Sequence, residues 1–262
     1  MIYITGDCHG NYDRFFTSRF PEQKEMTKDD YVIVCGDFGY WNEHKLQADL
    51  QVLSQRKFTT LFIDGNHEQY KCYTDDFVGL NDLPVTEWHG GKAQIISGTD
   101  IIHLMRGEVY DIDGLKILAI GGAASHDITD GIIPYSENWK EKAKQWMRQD
   151  KTLFRVEGIS WWKEENITDE DYQNALENIR YKTDKGRVDL VISHCAPSSA
   201  LLRMKEEFLP NPQIEPDANS EYLEKILQRV TYKHWYFGHY HLDMELSGDK
   251  TIVYRKIIKV EM

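Results

Sequence analysis

The chain alternates short apolar runs with stretches whose apolar residues recur every three or four positions. Residues 2–5, 31–35, 60–63, 189–193 and 235–237 are short and mostly apolar, as strands covered on both faces are. Residues 43–56 place Leu46, Leu50 and Leu53 on one helical face, and residues 169–180 do the same with Tyr172, Leu176 and Ile179. Thr168 stands where it can cap the second of these helices, with Asp171 completing a capping box. A third helix is predicted over 217–230, with Tyr222, Leu223, Ile226 and Leu227 on its apolar side. Strands alternating with helices imply a parallel or mixed sheet. Between 93 and 120 the pattern changes. Ala93–Ile96, Ile101–Leu104 and Leu115–Ile120 are separated by Ser97-Gly98, Arg106-Gly107 and Asp113-Gly114, which reads as hairpins. The tail repeats this, with Leu242–Leu246 and Thr251–Val260 around Ser247-Gly248-Asp249. Two packed sheets are therefore expected rather than one open sheet.

Polar clusters follow the apolar runs. They are Gly6-Asp7-Cys8-His9-Gly10, Gly36-Asp37-Phe38-Gly39, Gly65-Asn66-His67-Glu68, Ser193-His194-Cys195-Ala196-Pro197 and Gly238-His239-Tyr240-His241. Each alone is common, but all of them in this order, mostly after strands, are hard to reach by chance. In open α/β sheets ligands gather beyond the carboxyl ends of strands, where these clusters fall. Carboxylate, imidazole and amide oxygen suit Mn, Fe, Zn, Ni or Co better than Ca or thiophilic ions. One bridging carboxylate can hold two cations about 3.5–4 Å apart, the separation of two-metal hydrolases. Such a pair would keep net positive charge beside Asp7 and Asp37, attract a phosphate and generate hydroxide near neutral pH.

Length and composition narrow the reading. A chain of 262 residues can bury a large core, and with no Pro-, Gly- or Ser-rich linker it is read as one domain over 1–262. Within it, a Trp-rich excursion at about 122–168 carries Trp139, Trp146, Trp161 and Trp162. A satellite hydrophobic cluster is the preferred reading of this excursion, and an aromatic substrate cap the competing one. Lys plus Arg is 31 against 43 Asp plus Glu, a net charge of -12, so stable nucleic-acid binding is not expected. No signal peptide and no run of roughly 20 apolar residues is visible, so a cytoplasmic protein without a membrane partner is expected. Cys8, Cys35, Cys72 and Cys195 form no CxxC pair and are read as free thiols in a reducing compartment. His44, His89, His103 and His234 lack a supporting pattern, while His126, after a Gly-Gly-Ala-Ala-Ser stretch, is a weaker candidate for the site's rim.

These motifs resemble those of the calcineurin-like metallophosphoesterase superfamily, whose DxH, GD, GNH, H and GHxH pieces are matched here from Asp7 to His241. The resemblance implies an α/β fold, a four-layer αββα sandwich of two mixed β-sheets flanked by helices. It implies that Asp7, His9, Asp37 and His241 hold one metal, and that Asp37, Asn66, His194 and His239 hold the other, with Asp37 bridging. Two transition-metal ions are thus the expected cofactors, Mn first, with Fe, Zn, Ni or Co as alternatives. The expected reaction is hydrolysis of a phosphate ester by a metal-bridging hydroxide, with His67 over the phosphate as general acid. The protein-phosphatase branch reads GDxxDRG at the second cluster. Here Gly39 and Tyr40 stand in that region without the Asp or the Arg. This leaves His67 without its usual carboxylate partner, for which Glu68 or Glu43 could substitute. It also favours a small or flexible phosphodiester, because the extra Arg suited to a monoester dianion is missing. A Ser/Thr-type protein phosphatase or another phosphomonoesterase is the alternative, and a non-catalytic metal-binding scaffold ranks below it because the ligand set is complete.

Overall fold

A computed structural model of the chain describes residues 1–41, 44–71, 77–207 and 215–261. β1 (Ile2–Thr5), β2 (Tyr31–Cys35) and β3 (Thr59–Ile63) lie parallel and adjacent. β4 (Val85–Trp88), β5 (Gly91–Ile95) and β6 (Ile102–Leu104) form an antiparallel meander, and β6 runs parallel to β3. A second sheet begins with the hairpin β7 (Glu108–Ile112) and β8 (Leu115–Ile120). A separate parallel pair, β9 (Gly131–Ile133) and β10 (Phe154–Val156), lies in the Trp-rich excursion. β11 (Leu190–Ser193) and β12 (His234–Phe237) then join β8 in parallel, with β13 (Met244–Ser247) and β14 (Lys250–Ile252) at the far edge. β15 (Ile258–Lys259) returns to the first sheet, antiparallel to β1. Among the described residues the helices are α1 (His44–Ser54), α2 (Trp139–Met147), α3 (Asp169–Lys182), α4 (Ser198–Glu207) and α5 (Ala218–Leu227).

Alternation along the strands sets the layers, because successive side chains point to opposite faces. Val32 and Val34 face Leu46, Leu50 and Leu53 of α1. Their neighbours Ile33 and Cys35 face the other way, into a core shared with Ile117, Ala119, Leu190 and Ile192 of the second sheet. The outer face of that second sheet, Leu118, Ile120 and Val191, packs on Ala175 and Ile179 of α3, Met204 of α4, and Leu223 and Ile226 of α5. The order is therefore helix, sheet, sheet, helix, the α/β sandwich that the motifs imply.

Several details differ from the sequence pattern. Arg106-Gly107 is not a hairpin turn but the crossing from β6 in one sheet to β7 in the other. Thr251–Val260 does not run as one strand: it breaks after Ile252 and resumes as β15 in the opposite sheet, so the tail stitches the two sheets together. α2 carries no wide apolar stripe and buries only Ala143 well, which hid it in the sequence. The capping box at the start of α3 forms between Thr168 and Asp171. α5 has a second box, between Asp217 and Ser220, that the helix pattern did not reveal. Glu43, the first residue of the predicted opening helix, lies outside the described residues, as does Cys72.

A buried ion pair ties the crossing to the rest. Asp64, one residue past β3, accepts from Arg106 Nε at 2.8 Å, from the Tyr70 hydroxyl at 2.9 Å and from His103 Nε2 at 3.0 Å. Arg106 also donates to the carbonyls of Glu164 at 2.8 Å and Asn166 at 2.7 Å, and to the Asp171 carboxylate at 3.2 Å. Burial alone would raise the Asp64 carboxyl, but Arg106 and His103 pull it well below the usual carboxylate range. Breaking one side of such a pair strands a buried charge. Arg106→Met should therefore lower unfolding free energy by about 3–5 kcal/mol, read by urea denaturation. A change below about 1 kcal/mol would show that Asp64 is accommodated without it.

Candidate metal centre

The polar clusters meet along one edge because β1, β2, β3, β11 and β12 deliver their carboxyl ends there. The turns are tight. His9, Asp37, His239 and His241 all take left-handed backbone angles, with φ of 46°, 47°, 68° and 53°. Such conformations cost non-glycine residues about 1–3 kcal/mol each, and they persist where surrounding contacts over-determine them. Here the Asp37 carbonyl accepts the amides of Cys8 at 2.9 Å and His9 at 2.8 Å, and the Phe38 carbonyl accepts Gly10 N–H at 3.0 Å. Two glycines make room for side chains arriving from other loops. A Cβ on Gly36, where φ is +87°, would lie 2.1 Å from His194 Nδ1, and one on Gly65 would lie 2.2 Å from Asp37 Oδ1.

Asp7, His9, Asp37 and His241 form a compact group whose ligand atoms all lie within 4.8 Å of one another. His9 Nε2 faces His241 Nε2 at 3.0 Å, Asp7 Oδ2 at 3.8 Å and Asp37 Oδ2 at 3.7 Å. Asp7 Oδ2 is buried and receives no well-aligned hydrogen bond, although His241 Nε2 stands 3.1 Å away. The other carboxylate oxygen of Asp7 accepts His239 N–H at 3.0 Å, which fixes the side chain.

A second group shares Asp37. His194 is fully buried, and its Nδ1 lies 2.8 Å from the Cys35 carbonyl. A carbonyl can only accept, so Nδ1 carries the hydrogen and a neutral ring would present a bare Nε2. That Nε2 faces Asp37 Oδ1 at 3.3 Å and Asn66 Oδ1 at 3.3 Å. The His239 ring joins with its centroid 4.9 Å from that of His194. Burial lowers the His194 pKa, but Asp37 overcomes this and brings it to about 9. Burial would raise Asp37, but His194, His67 and His9 hold it well below the usual carboxylate range. The pocket therefore favours positive charge at the place where these acceptors converge.

His67 sits above this edge. Its N–H donates to Asp37 Oδ1 at 2.7 Å, and its ring lies 5.1 Å from the His9 ring. Glu68 is not its partner. Its buried carboxylate turns inward and accepts the amides of Phe38 at 2.7 Å, Gly39 at 3.1 Å and Tyr40 at 2.5 Å, bracing the Asp37 turn. Glu43, the other candidate, lies outside the described residues. The charges that do act on His67 from a distance include Arg155 and Asp127, both from the Trp-rich excursion. Arg155 Nε lies 2.8 Å from both carboxylate oxygens of Asp127. His126 also reaches the edge, its ring 4.5 Å from that of His239. Three of the tryptophans pack against apolar neighbours. Trp139 and Trp146 cover a small cluster with Ile133, Ala143 and Val156. Trp162 is buried with α1's apolar face and donates its indole N–H to the Lys71 carbonyl at 2.9 Å. Cys8, Cys35 and Cys195 are buried free thiols, and burial raises each of them.

A model of the calcineurin-like phosphoesterase family matches residues 1–243. The chain belongs to that family. Among curated proteins, a lariat debranching enzyme of Drosophila melanogaster is 24% identical over 271 residues, covering 92% of this chain and 42% of that protein. Lariat debranching enzyme A of Xenopus laevis is 23% identical over 269 residues, with the same coverage of 92% and 42%. The chain thus spans less than half the length of these relatives. The residues that the family match covers fit bound metal ions. Asp7 Oδ2 is a buried anionic oxygen with no well-aligned donor, a costly state that a cation relieves. The nitrogens and oxygens around it are the borderline donors that first-row transition metals prefer.

The close approach at Gly36 gives a direct check. Gly36→Ala should push the His194 ring out of place and weaken one of two bound Mn²⁺ ions by about tenfold or more, by isothermal titration calorimetry. Unchanged affinities for both ions would show that His194 does not need this position.

Proposed function

We propose that this protein is a phosphodiesterase whose paired metal centre is built by Asp7, His9, Asp37 and His241 on one side and by Asp37, Asn66, His194 and His239 on the other. The observation that carries the reading is the four-residue cluster gathered from the loops after β1, β2 and β12, with the buried Asp7 Oδ2 that has no well-aligned donor. Mn²⁺ is the preferred ion for this nitrogen and oxygen set, with Fe, Zn, Ni or Co as alternatives. When bound, the ions supply Lewis acidity and an activated water for attack at phosphorus.

The chain's own residues do the rest. Asp37 lies between the two groups and fixes their spacing, while the Cys35 carbonyl holds His194 in the tautomer with Nε2 free to ligate. His67, tethered by its amide to Asp37, delivers a proton to the leaving oxygen as the ester bond breaks and recovers one from water. Burial lowers the His67 pKa and Asp37 partly offsets it. A negatively charged substrate strengthens its donor form in the same way.

The diester preference rests on where the arginines are committed. Arg14 directs its guanidinium to the carbonyls of Gly6 at 2.9 Å, Asp7 at 2.5 Å and Tyr254. Arg155 is committed to Asp127. Neither of these two arginines is left free for the extra charge of a monoester dianion. The relatives named as lariat debranching enzymes point to the same side. No helix among the described residues is long and apolar enough to cross a membrane. The free thiols Cys8, Cys35 and Cys195 support a reducing compartment such as the cytoplasm, where thiols stay reduced.

Metal-stripped protein given Mn²⁺ should hydrolyse bis-p-nitrophenyl phosphate faster than p-nitrophenyl phosphate, and Asp37→Ala should abolish both. Faster monoester turnover would move the assignment to a phosphomonoesterase, and no turnover with Mn, Fe, Zn, Ni or Co would overturn the reading. His67→Ala should cost about 10²–10⁴-fold in kcat on an alkyl diester and far less on the p-nitrophenyl diester, whose leaving group needs no proton. Equal losses on both substrates would remove His67 as the acid.

A further inference from the structure

Glu165 is 1% exposed and lies in the Trp-rich excursion, far from the metal-binding motifs in sequence. Its carboxylate accepts Ser125 N–H at 2.7 Å and the Trp161 indole N–H at 3.0 Å on Oε1, and the Ser125 hydroxyl at 2.7 Å on Oε2. Ser125, 5% exposed, faces Asn66, whose Nδ2 lies 3.4 Å from Ser125 Oγ. Asn66 Oδ1 points the other way, 3.3 Å from His194 Nε2. Nothing in the five sequence motifs includes Ser125, Trp161 or Glu165.

The direction of each hydrogen bond follows from what each group can do. An ionised carboxylate only accepts, so it takes the one hydroxyl hydrogen of Ser125. Ser125 Oγ is then left with lone pairs alone, and the group facing it must donate. Of the two ends of the Asn66 amide, only the NH₂ donates. The amide oxygen is thereby turned toward His194. We propose that Glu165, acting through Ser125, is a positioning residue that sets the flip of the Asn66 side chain so that its oxygen faces the metal centre. This rests on the reading of Asn66 as a metal ligand.

Glu165→Gln keeps the shape but changes the polarity. The amide oxygen of the new side chain would still accept from Ser125 N–H and Trp161, leaving its NH₂ to donate to Ser125 Oγ. The Ser125 hydrogen would then point at Asn66 and draw its oxygen away from the metals. Ser125→Ala only removes the relay and leaves the Asn66 amide free to take either orientation.

The test is Mn²⁺ titration of the metal-stripped full chain by calorimetry at pH 8, with circular dichroism to confirm folding. Glu165→Gln should weaken one of the two ions by about 10- to 100-fold and leave the other at wild-type affinity. Ser125→Ala should weaken the same ion by less. This order is the reverse of what a purely structural role gives, since the isosteric change disturbs packing least. Asn66→Ala serves as the reference. If Asn66→Ala weakens one ion while Glu165→Gln matches wild type, the relay is overturned. If Asn66→Ala itself binds both ions as wild type does, the ligand assignment fails and the relay falls with it. A larger loss in Ser125→Ala than in Glu165→Gln also overturns the polarity argument. Should Glu165→Gln not fold, Ser125→Ala decides alone: selective loss of one ion supports the relay, and wild-type binding overturns it.

Discussion

Asp37 is held from several sides of the metal-facing edge. Its carbonyl accepts two amides from the β1 loop, its carboxylate accepts the amide of His67 from the β3 loop, and that carboxylate faces His9 on one side and His194 on the other. The left-handed turn that makes this possible is braced beneath by Glu68, which gathers the next three amides of the β2 loop. A buried carboxylate that accepts amide hydrogens resists the protonation that burial would otherwise force on it. At Glu68 burial and the charge of Asp37 outweigh the amides of Tyr40 and Gly39 and push its carboxyl well above the usual range. The rigidity of the edge is thus obtained by placing a second acid under the first and satisfying it with backbone.

Much of this edge was legible in the sequence because parallel strands impose an order on their loops. Asp7, Asp37, Asn66, His194 and His239 each follow a strand that could be read from its apolar run, and parallel neighbours send those loops to one side. What was not legible depends on chain separation or on signals with two meanings. Asn66 and Ser125 are 59 residues apart and Ser125 and Glu165 are 40 apart, so no spacing rule links them. The Arg155–Asp127 pair, 28 residues apart, hides in the same way. Arg106-Gly107 has the composition of a hairpin turn, and the chain uses it to change sheets instead. Glu68 looked chemically available beside His67, but its side chain points inward to unsatisfied amides, which claim it first.

The net charge of -12 describes the chain better than it describes the surface near the site. Asp7, Asp37, Asp64, Glu68, Glu108 and Glu165 are each 1% exposed, so a share of the acidity is inside. Asp64 pairs with Arg106 and Glu108 with Lys182, while Glu68 accepts backbone amides. An approaching phosphate feels the local field more than the total. At this edge that field is set by histidines and by whatever cations the acceptors hold. An acidic chain and an anionic substrate are therefore compatible, provided the acids nearest the reaction are turned toward metal or backbone rather than toward solvent.

The Trp-rich excursion joins these themes, because its apolar and polar residues face different tasks. Trp139, Trp146 and Trp162 bury it against itself and against the α1 side of the core. Some of its polar groups act at the metal edge: Asp127 and Arg155 act on His67, and Glu165 reaches Asn66 through Ser125. The Trp162 indole bond to the Lys71 carbonyl fastens the excursion to the segment just beyond Asn66 and His67. A change in the excursion's packing would be felt first at Asn66, where a rotation of one amide exchanges an oxygen for an NH₂, and a metal tolerates only one of the two.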